Sequence, residues 1–316
     1  MSGGFHSTPL KSLSHSLRDF SFCMSLNLQG SRLSSRPDQE PLILTFWTGD
    51  LELARFADRA GVDRVGVDLE VLGKAERQGG LDTWISGHKE DLLPAMREQL
   101  SQAKLFARTN PLHLGSVDEV ERLIDMGVEV FMLPFFTTSK EIVTFAHIVR
   151  DRAYVVPLLE NVQAAERIKE LVELDEIQEI HVGINDLGLS LGFQNRFLTL
   201  ATDLVIQIAS CVRDSGKRLG FGHVGRAMDD SLPIPSDLVY AQYARLGATA
   251  TIISRKFVFN DGMEETEFIT EIQKVRERMA YWHGCSLDEL ENAYQRYRTL
   301  LENLTGVDPT KISLRK

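Results

Sequence analysis

Cysteine is scarce in this chain: Cys23, Cys211 and Cys285 are the three among 316 residues, an odd number at scattered spacings. They offer neither a disulfide framework nor a CxxC metal knuckle, and the expected compartment is reducing and cytoplasmic. Long apolar runs are missing as well. No stretch approaches the roughly 18 uninterrupted apolar residues of a membrane-spanning helix, and no apolar segment behind a charged N-terminus reads as a secretory signal. No membrane partner is expected. Basic charge is also in short supply, with 45 acidic side chains against 35 basic ones and a formal net charge of -10. Such a surface repels a phosphate backbone, so nucleic acid is not an expected partner.

What is present falls into a tail and a rhythm. Residues 1–40 hold ten serines, four basic and three acidic residues, and no sustained apolar period. They read as a poorly ordered tail, with an organellar transit peptide or a true start at Met24 as alternatives. From Leu42 onward, short apolar or β-branched runs alternate with longer amphipathic stretches, the sign of βα units around a parallel sheet. Strands are expected at Leu42–Thr48, Arg64–Leu69, Leu105–Thr109, Val130–Phe135, Tyr154–Leu159, Ile180–Ile184, Leu219–Gly222 and Ala250–Ser254. Ala60-Gly61-Val62, Met126-Gly127-Val128 and Leu246-Gly247-Ala248 repeat one phrase at helix ends, where glycine supplies a left-handed cap.

Eight such units favour an α/β fold of the (β/α)8 TIM-barrel type over an open doubly wound sheet. The expected domains are a tail at 1–40, a barrel at 41–282 and a C-terminal helical arm at 283–316. Ser286-Leu287-Asp288-Glu289 has the form of a capping box. It opens a helix with Leu287, Leu290, Tyr294, Tyr297, Leu301 and Leu304 along one stripe. That helix either packs on its own barrel or reaches a neighbouring subunit, and a homo-oligomer is expected.

In such a barrel the active site lies at the C-terminal ends of the strands, so polar residues that finish an apolar strand carry weight. Strand two finishes with Asp68 and Glu70, two apart and on one face. Strand three finishes with Arg108, strand five with Glu160, and strand six with Gly183-Ile184-Asn185-Asp186. Glu160 and Asp186 lie one βα unit apart, and two oxygen ligands with open positions suit Mg²⁺ or Mn²⁺ better than Zn²⁺. The competing reading makes each carboxylate a helix N-cap and Arg108 an ion-pair partner of Asp68 or Glu70.

The order Asp68-Leu69-Glu70, Arg108, Met132-Leu133-Pro134, Leu158-Leu159-Glu160 and Gly183-Ile184-Asn185-Asp186-Leu187 resembles the HpcH/HpaI class II aldolase and citrate lyase β-subunit family. This family belongs to the phosphoenolpyruvate/pyruvate barrel superfamily, and the resemblance spans about Leu42 to Phe257. It implies that Glu160 and Asp186 hold the divalent cation, that Arg108 contacts the carbonyl oxygen of a 2-oxo acid, and that the reaction is aldol cleavage to pyruvate. The candidate catalytic residues are therefore Arg108, His88, Asp68 and Glu70, with Gly183, Asn185 and His223 as candidate substrate contacts. The aldolase branch places a histidine directly after the strand-two acid, where this chain has Val71. A base is then sought at His88, late in the long loop Lys74–His88, or at His223 after strand seven. That loop reads either as a lid over an acidic substrate tail or as a solvated charged loop.

Two further signals are discounted. Gly220-Phe221-Gly222-His223-Val224-Gly225 matches a dinucleotide fingerprint, but the prolines that follow defer any helix to Ser236, and its glycines are read as making room at the barrel mouth. Lys256 follows Ser254-Arg255 rather than a desolvated pocket, which argues against a Schiff-base mechanism. A citrate-lyase-like acyl-CoA lyase, a phosphonate or phosphoenolpyruvate enzyme and a non-catalytic barrel subunit remain as alternatives.

Overall fold

Each of the eight apolar runs forms a strand, and the strands close on themselves. In the computed structural model, which describes residues 41–73, 87–254, 257–258 and 262–307, β1 (Ile43–Trp47), β2 (Arg64–Asp68), β3 (Lys104–Arg108) and β4 (Val130–Leu133) run parallel. They continue as β5 (Tyr154–Leu159), β6 (Glu179–Gly183), β7 (Arg218–Val224) and β8 (Ala250–Ile253), and β8 pairs with β1 to complete a barrel in sequence order. The Ser-rich tail with Met24, loop residues 74–86 and Lys256 lie outside the described residues. The fold is the expected (β/α)8 barrel. Among the described residues, no helix is long and apolar enough to cross a membrane.

The strands differ from expectation mostly at their ends. Strand four stops at Leu133 rather than Phe135, because Phe135 takes a left-handed conformation (φ 49°) that removes it from the sheet. Strand seven is longer than expected and includes His223, with a register irregularity against β8 between Gly222 and Val224. Such a bulge re-aims the side chains around it.

Helices follow the strands: α1 (Leu51–Arg59), α2 (Leu93–Gln99), α3 (Ser116–Asp125), α4 (Ser139–Val149), the short α5 (Val162–Ala165) and α6 (Ile168–Leu171). Next come α7 (Ile184–Ser190), a 3₁₀ segment (Arg196–Ala201), α8 (Asp203–Asp214), α9 (Ser236–Leu246), α10 (Glu265–Gly284) and α11 (Leu287–Thr305). Their starts have local causes. Asp50 accepts from the N–H groups of Glu52 and Leu53 to begin α1, and Thr138 with Glu141 forms a capping box at α4. Gly61, Gly127 and Gly247 adopt the positive φ the repeated phrase predicts, with values of 77°, 91° and 77°.

Strand alternation divides the core in two. Outward side chains such as Leu44, Phe46, Val65 and Val67 join the helices in one large apolar layer. Inward ones, among them Trp47, Phe106, Met132, Val156 and Ile252, form a separate cluster inside the barrel. Burial of each such side chain contributes about 1.5–3 kcal/mol.

The C-terminal helix packs on its own barrel. Ser286 and Glu289 form the expected capping box, and Leu290, Ala293, Tyr297 and Leu301 are buried. The Tyr297 hydroxyl donates to the Phe197 carbonyl at 2.7 Å, and Arg245 of α9 lies 3.9 Å over the Tyr294 ring. The predicted stripe is too long: Leu287 and Leu304, at its two ends, are exposed.

Candidate functional site

The register of β2 against β3 sets Asp68 opposite Arg108 at the C-terminal end of the barrel. Arg108 Nε donates to Asp68 Oδ1 and Nη2 to Oδ2, each at 2.7 Å. Nη2 also lies 3.3 Å from Glu70 Oε2, and Nη1 lies 3.8 Å from Glu160 Oε1. All four side chains are buried. Burial opposes the guanidinium's charge, yet Asp68, Glu70 and Glu160 outweigh it and hold the Arg108 pKa above its ordinary value. Arg108 therefore stays a cation, and its flat face rests 4.4 Å over the Trp47 ring. The ion pair with Asp68 is thus real, and it leaves Nη1 directed toward Glu160.

Glu160 owes its position to its neighbour in sequence. Asn161, not Glu160, caps α5 by accepting from the Ala164 N–H at 2.8 Å, and its amide donates to the Phe136 carbonyl. Glu160 is thereby released from the capping role it competes for. Its Oε2 accepts the Phe135 N–H at 3.2 Å, which the left-handed turn at Phe135 presents. Gly183 makes the space: a Cβ there would sit 2.6 Å from Glu160 Cγ and 2.9 Å from Oε1. Asn185 and Asp186 follow in the first turn of α7, where the acidic Asp186 complements the helix dipole.

The histidines take different places. His88 Nδ1 accepts the Asp68 N–H at 3.1 Å, so the neutral ring carries its proton on Nε2 and acts as a donor there. Its ring lies against Gly49, where a Cβ would approach Cδ2 to 3.0 Å. His223 meets Trp47 edge to face at 5.7 Å. Trp47 consequently joins Arg108 to His223.

Asn110 accepts the N–H groups of Val71 and Leu72, each at 3.0 Å, and is held in turn by Glu119 Oε1. It therefore fixes the chain just beyond Asp68 and Glu70. Trp47, Asn110, Glu119 and Phe135 were not singled out from sequence. The one signal for Trp47 was an indole at the end of the first apolar run; the others act through backbone groups, which leave no pattern in the sequence.

The GxGxxG phrase serves the barrel interior rather than its mouth. A Cβ at Gly220 would fall 2.2 Å from His181 Nε2, so the glycine admits a fully buried histidine. No helix N-terminus follows the phrase, and the next helix begins at Ser236.

Among the described residues, no group of three or more His, Cys, Asp or Glu could hold an ion alone. Two hard carboxylates at a barrel mouth, here Glu160 and Asp186, suit an oxygen-seeking cation that keeps positions open for water or substrate, which is the habit of Mg²⁺ and Mn²⁺.

No protein-family model matches the chain, and no curated protein matches it. Solved structures do. RipC from Yersinia pestis is 12% identical, with a TM-score of 0.52 over 79% of this chain and 98% of that one. An HpcH/HpaI aldolase/citrate lyase family protein from Burkholderia cenocepacia J2315 is 14% identical, with a TM-score of 0.52 over 69% and 90% of the two chains. An HpcH/HpaI aldolase from Desulfitobacterium hafniense DCB-2 is 15% identical, with a TM-score of 0.50 over 68% and 86%. What these three proteins share with the present chain is the fold.

Proposed function

We propose that the chain is a divalent-metal-dependent carbon–carbon lyase of the HpcH/HpaI type, which cleaves a 4-hydroxy-2-oxo acid to pyruvate, or another 2-oxo acid, and an aldehyde. The observation that carries this reading is the placement of Arg108: a permanent cation, clamped by Asp68 and braced on Trp47, with Nη1 on the Glu160 side at the barrel mouth. Cleavage of the C3–C4 bond leaves its electron pair as an enolate whose charge gathers on the former carbonyl oxygen. A guanidinium fixed beforehand at that oxygen stabilises the charge without reorganisation. Mg²⁺ or Mn²⁺ held by Glu160 and Asp186 would supply Lewis acidity to the oxygens of the 2-oxo acid.

The proton of the C4 hydroxyl must leave as the aldehyde forms. His88, which presents Nε2–H in its neutral form, suits a donor role, and His223 at the end of β7 is assigned as the base. The enolate then takes a proton at C3 to give the methyl group of pyruvate.

Pyruvate release from 4-hydroxy-2-oxo acids, with and without EDTA, tests the proposal. Turnover is expected to stop with EDTA and to fall about 100- to 1000-fold in Arg108→Lys, the usual effect of losing a fitted oxyanion partner. Turnover that survives EDTA, or full activity in Glu160→Gln, overturns it.

A further inference from the structure

The opposite end of the barrel departs from the pattern of its fold. Inward positions of such barrels are dominated by bulky branched apolar residues. Here the strands β2, β3, β6 and β7 begin with Arg64, Lys104, Glu179 and Arg218, three cations and one carboxylate. Glu179 is fully buried and accepts both Arg64 terminal nitrogens, at 2.8 and 2.7 Å, and lies 2.7 Å from His181 Nε2. The nearby Asp63 is engaged by Arg276 at 2.8 Å. Glu179 and Asp63 are thus each engaged by an arginine, and Lys104 and Arg218 also stand at this mouth.

Asp63, Arg64, Lys104 and Arg218 line a cavity of about 490 Å³ together with Gln102, Gln178 and Tyr154. Its wall offers guanidinium, ammonium and amide donors, which an oxyanion takes, beside the Asp63 carboxylate that Arg276 engages. Deeper in the barrel, Thr45 Oγ1 and His181 Nδ1 are buried without a hydrogen-bond partner among the described residues, and Thr45 is the register partner of Arg64. Buried polar atoms of this kind call for a water or ligand atom reaching them. In a chain of net charge -10, a cluster of cations around a pocket focuses the local field on an anion.

We propose that this N-terminal mouth is a binding site for a compact dianion, a phosphate or a small dicarboxylate, at the end of the barrel remote from the catalytic groups. The anion bridges the starts of β2, β3 and β7 through Arg64, Lys104 and Arg218. Because it binds only the closed barrel, it also stabilises the fold.

Isothermal titration of the full chain with inorganic phosphate, and separately with malonate, at ionic strength matched by chloride, tests this. Saturable binding of one molar equivalent of at least one anion is expected, and the tighter of the two identifies the ligand class. Lys104→Glu and Arg218→Gln should each weaken it by about tenfold or more, the loss of one charge-assisted hydrogen bond. Glu160→Gln, at the other mouth, should leave the affinity unchanged. Lys104 is exposed, so Lys104→Glu carries the test even if Arg218→Gln fails to fold. Absence of saturable binding by both anions, or unchanged affinity in Lys104→Glu, overturns the proposal, and neither result bears on lyase activity.

Discussion

Asp68 meets Arg108 edge to edge, with two parallel bonds of 2.7 Å between groups that are each more than nine-tenths buried. The pair does two things. It compensates charges that burial would otherwise make expensive, and it fixes the guanidinium in one plane over Trp47.

Removing one partner should therefore be severe. Asp68→Ala removes both short bonds to a buried cation and leaves it only the longer contacts with Glu70 and Glu160, and it is expected to lower unfolding free energy by about 3 kcal/mol. Asp68→Asn retains a hydrogen-bond acceptor and should lose less. Urea denaturation of the three proteins measures the order; equal stability of Asp68→Ala and wild type would show that the pair contributes nothing.

Gly183→Ala tests the space kept for Glu160. The added methyl would stand 2.6 Å from Glu160 Cγ, so the carboxylate must shift while most of the fold is undisturbed. Mn²⁺ affinity, read by the loss of the free-ion electron paramagnetic resonance signal, should drop about 10-fold or more. Unchanged affinity would argue against Glu160 as a ligand of the proposed ion.

Asn161→Ala removes the α5 cap at 2.8 Å and the bond to Phe136. A lost cap costs about 1 kcal/mol, and the stranded Phe136 carbonyl adds to that. A second effect is expected on activity, since Glu160 can then turn to the exposed helix start. Thermal unfolding combined with a pyruvate assay separates the two.

Acid stability should depend on Glu179. Burial raises its pKa, but the bonds from His181 and Arg64 more than reverse this and hold it well below the usual glutamate range. A depressed folded-state pKa stabilises the protein fully above the unfolded-state value, and that contribution declines as pH falls below it. Glu179→Gln should be less stable at neutral pH and show a flatter decline on acidification than wild type. Parallel profiles from denaturant midpoints between neutral and strongly acidic pH would contradict this.

The barrel was legible because strand-helix alternation and the glycine phrases at 61, 127 and 247 are local properties of the chain. The acidic strand ends were legible for the same reason: Asp68, Glu70, Arg108 and Glu160 follow directly on apolar runs. Asn110, which holds the Val71 and Leu72 amides from 39 and 38 residues away, was not, because a side chain bound to backbone leaves no complementary residue to detect. The Arg64–Glu179 pair spans 115 residues, and strand six is expected from sequence to begin one residue later, at Ile180, so the pairing across the barrel left no local signal. The glycine at 220 reads as making room at the barrel mouth because its true reason, the ring of His181, lies on a different strand.

The closure of β8 onto β1 also has a consequence for biosynthesis. Arg276 of α10 donates to the Leu42 carbonyl 234 residues earlier, and β1 finds its second neighbour only in β8. A ribosome delivers the chain from its N-terminus, so β1 emerges with one edge open and keeps it open until nearly the whole barrel has been made. Over that interval the nascent chain presents an apolar strand edge to its surroundings, and the arrival of β8 is what ends the exposure.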